Sequence, residues 1–103
     1  MSTDIIFHFA KPDDWHRAQA SGVYSPMHWQ GEGFIHCATW EQIRGVIERH
    51  LKARGAFIKL SLNAESLKPN LRYDWSDISR DHYPHVYAEI MLSSVITSEA
   101  VFL

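Results

Sequence analysis

Gly31-Glu32-Gly33-Phe34-Ile35-His36-Cys37-Ala38-Thr39 sets a Gly-x-Gly turn, a short apolar run interrupted by His-Cys, and a helix start side by side. A strand that only filled a core would carry Val, Ile or Leu where His36 and Cys37 stand. A buried imidazole loses its hydration and needs a hydrogen-bond partner in exchange. The run therefore predicts a strand over 34–38 whose His36 meets something polar. Thr39 and Gln42 fit the capping-box spacing, with Thr39 as N-cap. Trp40, Ile43, Val46, Ile47 and Leu51 then recur at helical spacing to about residue 54, where Gly55 supplies a stop.

Working outward, residues 5–9 (Ile-Ile-Phe-His-Phe) read as a first strand, and Pro12 suits the first turn of a helix over 13–21 that ends at Gly22. Val23-Tyr24 reads as a brief extended piece and 25–33 as a loop carrying Trp29. Residues 56–62 alternate as a strand with one buried face, 63–69 as a helical turn or loop, 71–75 as a strand, 76–82 as a polar connection and 95–102 as a closing β segment. The expectation is an α+β domain of about five or six mostly antiparallel strands and two main helices, with no internal repeat.

A chain of 103 residues without a composition shift fits a single domain over 1–103, and 46% hydrophobic residues suffice for a core. The formal net charge of −2, with basic residues scattered singly, gives no stripe for extended nucleic acid. Cys37 is the single cysteine, so no intrachain disulfide forms. A small core without such a staple suits the cytoplasm. No run is long and apolar enough to suggest a membrane partner.

Two concentrations of side chains can carry chemistry. His8 and His36 lie mid-strand and are expected to project from adjacent strands into one cleft. The competing reading packs each imidazole at a sheet edge with a ring nitrogen on a backbone carbonyl. His82-Tyr83-Pro84-His85-Val86-Tyr87 is the second concentration. There, a proline turn tucking tyrosines against the core competes with a ligand-facing patch. Cys37 reads as a small hydrophobe rather than a nucleophile. One cysteine with loosely spaced histidines does not make a zinc pattern, so no metal site is assigned. Glu89 lies in a late apolar segment where a carboxylate either faces the cleft or solvent. The Gly-x-Gly leads into a strand, unlike a dinucleotide fingerprint, and no Walker loop or serine elbow is present.

Gly33-Phe34-Ile35-His36-Cys37-Ala38-Thr39, the early Ile6-Phe7-His8 and the late Pro84-His85-Val86-Tyr87 together resemble the bacterial family catalogued as domain of unknown function 952. More distantly, the first forty residues resemble the front half of ADP-ribosyltransferase-type folds. That resemblance implies an ADP-ribosyltransferase-like fold in which His8 contacts a ribose of NAD and a late-strand glutamate, with Glu89 as candidate, promotes transfer. The tyrosine that such folds carry on the second strand would fall near Ile35 or His36, where no tyrosine stands.

Three functions follow as expectations. In the first, a nucleotide or similarly polar small molecule binds a cleft lined by His8, Tyr24, His36, Thr39, His85 and Tyr87. In the second, an ADP-ribosyl- or phosphotransferase-like enzyme acts on NAD or a nucleotide, with His36, His85 or Glu89 as acid–base residues. In the third, Trp29, Trp40, Tyr83 and Tyr87 belong to a protein-facing patch of a non-catalytic interaction module.

Overall fold

In a computed structural model the structure describes residues 4–103, arranged as an α+β domain with eight strands paired throughout in antiparallel fashion. Strand β1 (Ile5–Ala10) lies beside β4 (Ala56–Asn63), and β4 beside β8 (Val95–Phe102). β3 (Ile35–His36) pairs with β6 (Asp81–Val86), and β6 with β5 (Leu71–Ser76), in a second three-stranded sheet. β2 (Val23–Tyr24) and β7 (Ile90–Met91) make a short ribbon.

The core follows from the alternation of strand side chains. Ile6 and Ala10 on β1 face inward together with Leu60 and Leu62 on β4, and Ile35 and Val86 close the core from the second sheet. His8 shares its face of β1 with Ile6 and Ala10, so its imidazole is aimed at the interior. Phe7 points the other way, with the ring of Trp40 at 5.9 Å and Lys59 Nζ at 5.6 Å.

Helix α1 (Pro12–Ser21) starts at Pro12, whose missing N–H costs nothing in a first turn, and buries Ala18. It stops at Gly22, whose φ of 86° is open to a residue without Cβ and whose N–H closes on the Ala18 carbonyl at 2.8 Å. The 25–33 segment is not wholly a loop, since Trp29–Glu32 winds one helical turn, α2. Gly33 ends that turn at φ 94°, and no atom lies within 4 Å of where a Cβ would stand. Backbone conformation, and not a close approach, thus calls for glycine there.

Three further expectations change. The strand over 34–38 contracts to Ile35–His36, because its backbone serves two sheets in succession. His36 pairs with His85 on β6, whereas Ala38 forms a bridge to Phe7 on β1 with both N–H···O distances 2.8 Å. The helix after Thr39 winds in three modes: a 3₁₀ turn at Trp40–Gln42, α3 at Ile43–Val46 and a π turn at Ile47–Leu51. Its apolar stripe is not sunk in the core, and Trp40 stays 67% exposed. Finally, Pro84 sits inside β6 and not in a turn, which with β7 raises the strand count to eight. A strand proline is tolerated where only its carbonyl is called upon, and the Pro84 carbonyl accepts the Cys37 N–H at 3.0 Å. No helix among the described residues is long and apolar enough to cross a membrane.

Leu60 is completely buried at the centre of the inward face of β4. Leu60→Ala is expected to lower unfolding free energy by about 2–5 kcal/mol, read from urea denaturation midpoints at an unchanged slope.

Candidate functional site

The inward aim of His8 forces both of its ring nitrogens to find partners. A carbonyl can only accept, so Nδ1–H donates to the His36 carbonyl, and the Tyr24 hydroxyl donates to the remaining lone pair on Nε2 at 2.7 Å. Burial, opposed by the bond to His36, pushes the His8 imidazole down to about 4. Burial and then the charge of Asp14 push the Tyr24 phenol well above its ordinary value. The pair is neutral and internally satisfied. Asp14, itself buried, accepts from Arg17 and from the Met27 N–H and fastens the following loop to α1.

A second cluster forms around Phe34. Its ring stacks on His85 at 3.9 Å with 12° between planes, and meets His36 edge-on at 4.8 Å and Tyr87 at 5.3 Å. His36 donates from Nε2 to Glu32 Oε1 at 2.8 Å, and His85 donates from Nδ1 to Asp74 Oδ2 at 2.8 Å. The Tyr87 hydroxyl donates to that same Asp74 oxygen. Tyr87 and His85 together hold the Asp74 carboxyl below the usual carboxylate range. Burial keeps the His85 imidazole below its ordinary value, against the opposing bond to Asp74. The bond to Asp74 raises the Tyr87 phenol.

Beside these clusters opens a cleft of about 890 Å³ between α1, α2, β1 and the end of the π turn. His8, Tyr24 and His36 line it, joined by Trp29, expected on a protein-facing patch, and by Phe34, Lys11 and Arg54, which the sequence alone did not assign to a site. His85 and Tyr87 do not line it; they reach it through Phe34 and His36. Thr39 also lies off the cleft, where its N–H is held by Gln42 Oε1 at 3.0 Å at the helix start. Glu89 is exposed ahead of β7 and away from the cleft. Cys37 is buried, and burial pushes its thiol up, away from the thiolate a nucleophile requires. Among the described residues no group of three or more His, Cys, Asp or Glu side chains is placed to hold a metal ion.

The two carboxylates differ in how visible they were. Glu32 precedes His36 by four residues, a spacing that α2 turns into contact. Asp74 lies eleven residues from His85 and meets it only through the β5–β6 pairing. The aromatic residues expected to make one protein-facing patch are engaged separately. Trp29 donates to Ser25, Tyr83 accepts from Arg49, and Tyr87 binds Asp74.

Residues 9–98 match the family model described as "Protein of unknown function (DUF952)". The chain belongs to this family. Among solved structures, protein CC0527 from Caulobacter crescentus is similar to this DUF952 chain. Its crystal structure gives a TM-score of 0.83 at 23% identity, covering 93% of this chain and 84% of that one. The solution NMR structure of CC0527 gives 0.81 at 23% identity, over 96% and 85% of the two chains. The likeness is one of fold. No curated protein matches the chain.

Within the DUF952 frame, the ribose contact that the transferase resemblance assigns to His8 has no ring nitrogen to use unless Tyr24 gives up its bond. The late carboxylate of that scheme, Glu89, stands outside the cleft. The donor set therefore does not fit NAD in a transferase arrangement.

His8 titrates near 6.5 when unfolded and about 4 when folded, with Tyr24, Asp14 and His36 facing it. Between those values the unfolded chain holds more protons, so the stability due to neutral His8 is complete above pH 6.5 and is lost as pH falls toward 4. The loss is on the order of 3 kcal/mol. Urea unfolding of the wild type is expected to weaken across that window, and His8→Gln, though less stable at pH 7, to show a much flatter profile. Equal slopes for the two proteins would show that His8 is not the group responsible.

Proposed function

We propose that the cleft binds a small anionic molecule of nucleotide type, with its ring against the aromatic wall and its phosphate near the basic side chains. The observation that carries this reading is aromatic surface together with two cations free of ion pairs, among the described residues, in one concavity. The carboxylates of Asp14 and Glu32 there are held by Arg17 and His36, and Asp13 also lines the wall. Trp29 and Phe34 supply flat apolar faces. Lys11 and Arg54 supply charge, and neither lies within ion-pair distance of a carboxylate among the described residues. Ligand sites of this volume typically combine apolar walls with a few polar groups that fix orientation. Arginine and lysine beside an aromatic face suit a phosphate and a base.

The resemblance to ADP-ribosyltransferase-like folds agrees with a nucleotide as ligand class. It lends no support to transfer chemistry, because His8 is already satisfied and Glu89 lies elsewhere. His36 belongs at the ligand's polar end, since it lines the cleft and keeps Nδ1 uncommitted.

Isothermal titration with AMP is expected to give heat, with adenosine binding more weakly for want of the phosphate. A double variant Lys11→Ala/Arg54→Ala is expected to lose roughly tenfold in affinity for AMP, the scale of one charge-assisted contact. No heat from AMP, ADP-ribose or NAD at millimolar ligand, or unchanged AMP affinity in the double variant, would remove this reading.

A further inference from the structure

His36 and His85 stand in direct register on β3 and β6, so their side chains leave the same face of the sheet. Arg72 is the register partner of His85 on β5 and completes a row of three across that face. The two imidazole centroids are 5.3 Å apart with their planes at 75°. Each ring spends one nitrogen on a carboxylate, Glu32 or Asp74, and leaves the other uncommitted: Nδ1 of His36 and Nε2 of His85. His36 is well exposed. His85 is mostly covered, yet among the described residues no buried side-chain nitrogen or oxygen lacks a partner, so its Nε2 reaches solvent. A structural histidine of the His8 kind uses both nitrogens. These two are oriented by carboxylates and each keeps one nitrogen open, the arrangement that general acid–base catalysis needs.

We propose that His36 and His85 form an acid–base pair that hydrolyses a small nucleotide phosphodiester whose phosphate lies at the rim of the cleft. This rests on the reading of the cleft as a site for a phosphate-bearing ligand. His85 Nε2 takes a proton from water as the water oxygen forms a bond to phosphorus. The phosphorus–oxygen ester bond breaks, and the departing alkoxide takes the proton from Nδ1 of His36 in its imidazolium form, with Glu32 as counter-ion. The products are a phosphomonoester and an alcohol. His85 ends protonated and His36 neutral, and proton exchange with solvent restores both. Burial favours a neutral His85, the state a base requires. The guanidinium of Arg72, 5.4 Å from the Tyr87 ring centroid, lies on the same face to balance charge on the phosphoryl oxygens.

Two diesters separate the roles: 2′,3′-cyclic AMP, whose sugar oxygen leaves poorly, and bis(4-nitrophenyl) phosphate, whose phenolate needs no acid. His85→Gln is expected to slow both by about a hundredfold or more, and His36→Gln to slow the cyclic nucleotide to that extent while barely affecting the nitrophenyl ester. Glu89→Gln should match wild type on both. Should His85→Gln fail to fold, His36→Gln at its exposed position carries the test. No product from either diester, rates that survive both histidine changes, or a loss confined to Glu89→Gln would overturn the proposal. AMP binding without hydrolysis would overturn the acid–base pair and leave the binding reading standing. Histidine-dependent hydrolysis of the nitrophenyl ester without AMP heat would support the pair and remove the nucleotide.

Discussion

Four residues of backbone, 35–38, have to satisfy two sheets at once, and most of the molecule's arrangement depends on it. Toward β6 they give the His36–His85 pairing and the Cys37 N–H to the Pro84 carbonyl; toward β1 they give the double bond between Phe7 and Ala38. A segment used on both edges has no freedom of register. Ile35 and Cys37 must go inward and His36 outward, while the His36 carbonyl is left facing β1, where it receives the His8 ring. The core, the neutral His8–Tyr24 pair and the outward histidine row are three results of one constraint.

The constraint also separates two kinds of histidine. His8 lies on an inward face, and a low-dielectric interior leaves no room for an unpaired nitrogen, so both of its nitrogens are used and its proton affinity falls. His36 and His85 lie on an outward face where one carboxylate each suffices. Residue type alone cannot distinguish these cases. Strand parity does, because His36 sits between inward Ile35 and Cys37, whereas His8 falls in step with Ile6 and Ala10.

Much of this was legible beforehand. An apolar and aromatic run located β1, alternation located β4 and a β-rich ending located β8, while Pro12 and Gly22 bracketed α1 and the His-Cys interruption marked the shared segment as one that must meet polar partners. Other features were hidden for physical reasons. β6 carries Pro84 and is flanked by charged and polar residues, so local preference spoke for a turn; its pairing on both sides overrode that preference. The helical stripe from Trp40 to Leu51 showed the right period, yet period does not report depth, and the segment rides over an edge with mixed winding. Asp74 had no local signal, since only strand pairing brings it to His85.

Gly45 gives the helical segment a mechanical role. A Cβ there would stand 2.9 Å from Arg49 Nη1, and the Arg49 guanidinium donates to the Tyr83 hydroxyl at 2.7 Å. The bare glycine thus leaves a channel through which arginine struts the helix to β6. Tyr83 lies two residues from His85 on the same face of that strand. One methyl group at residue 45 displaces the flexible arginine end and loosens this strut, leaving Gln42, which donates to Asp81 Oδ2 and to the His82 carbonyl, to hold the helix to β6.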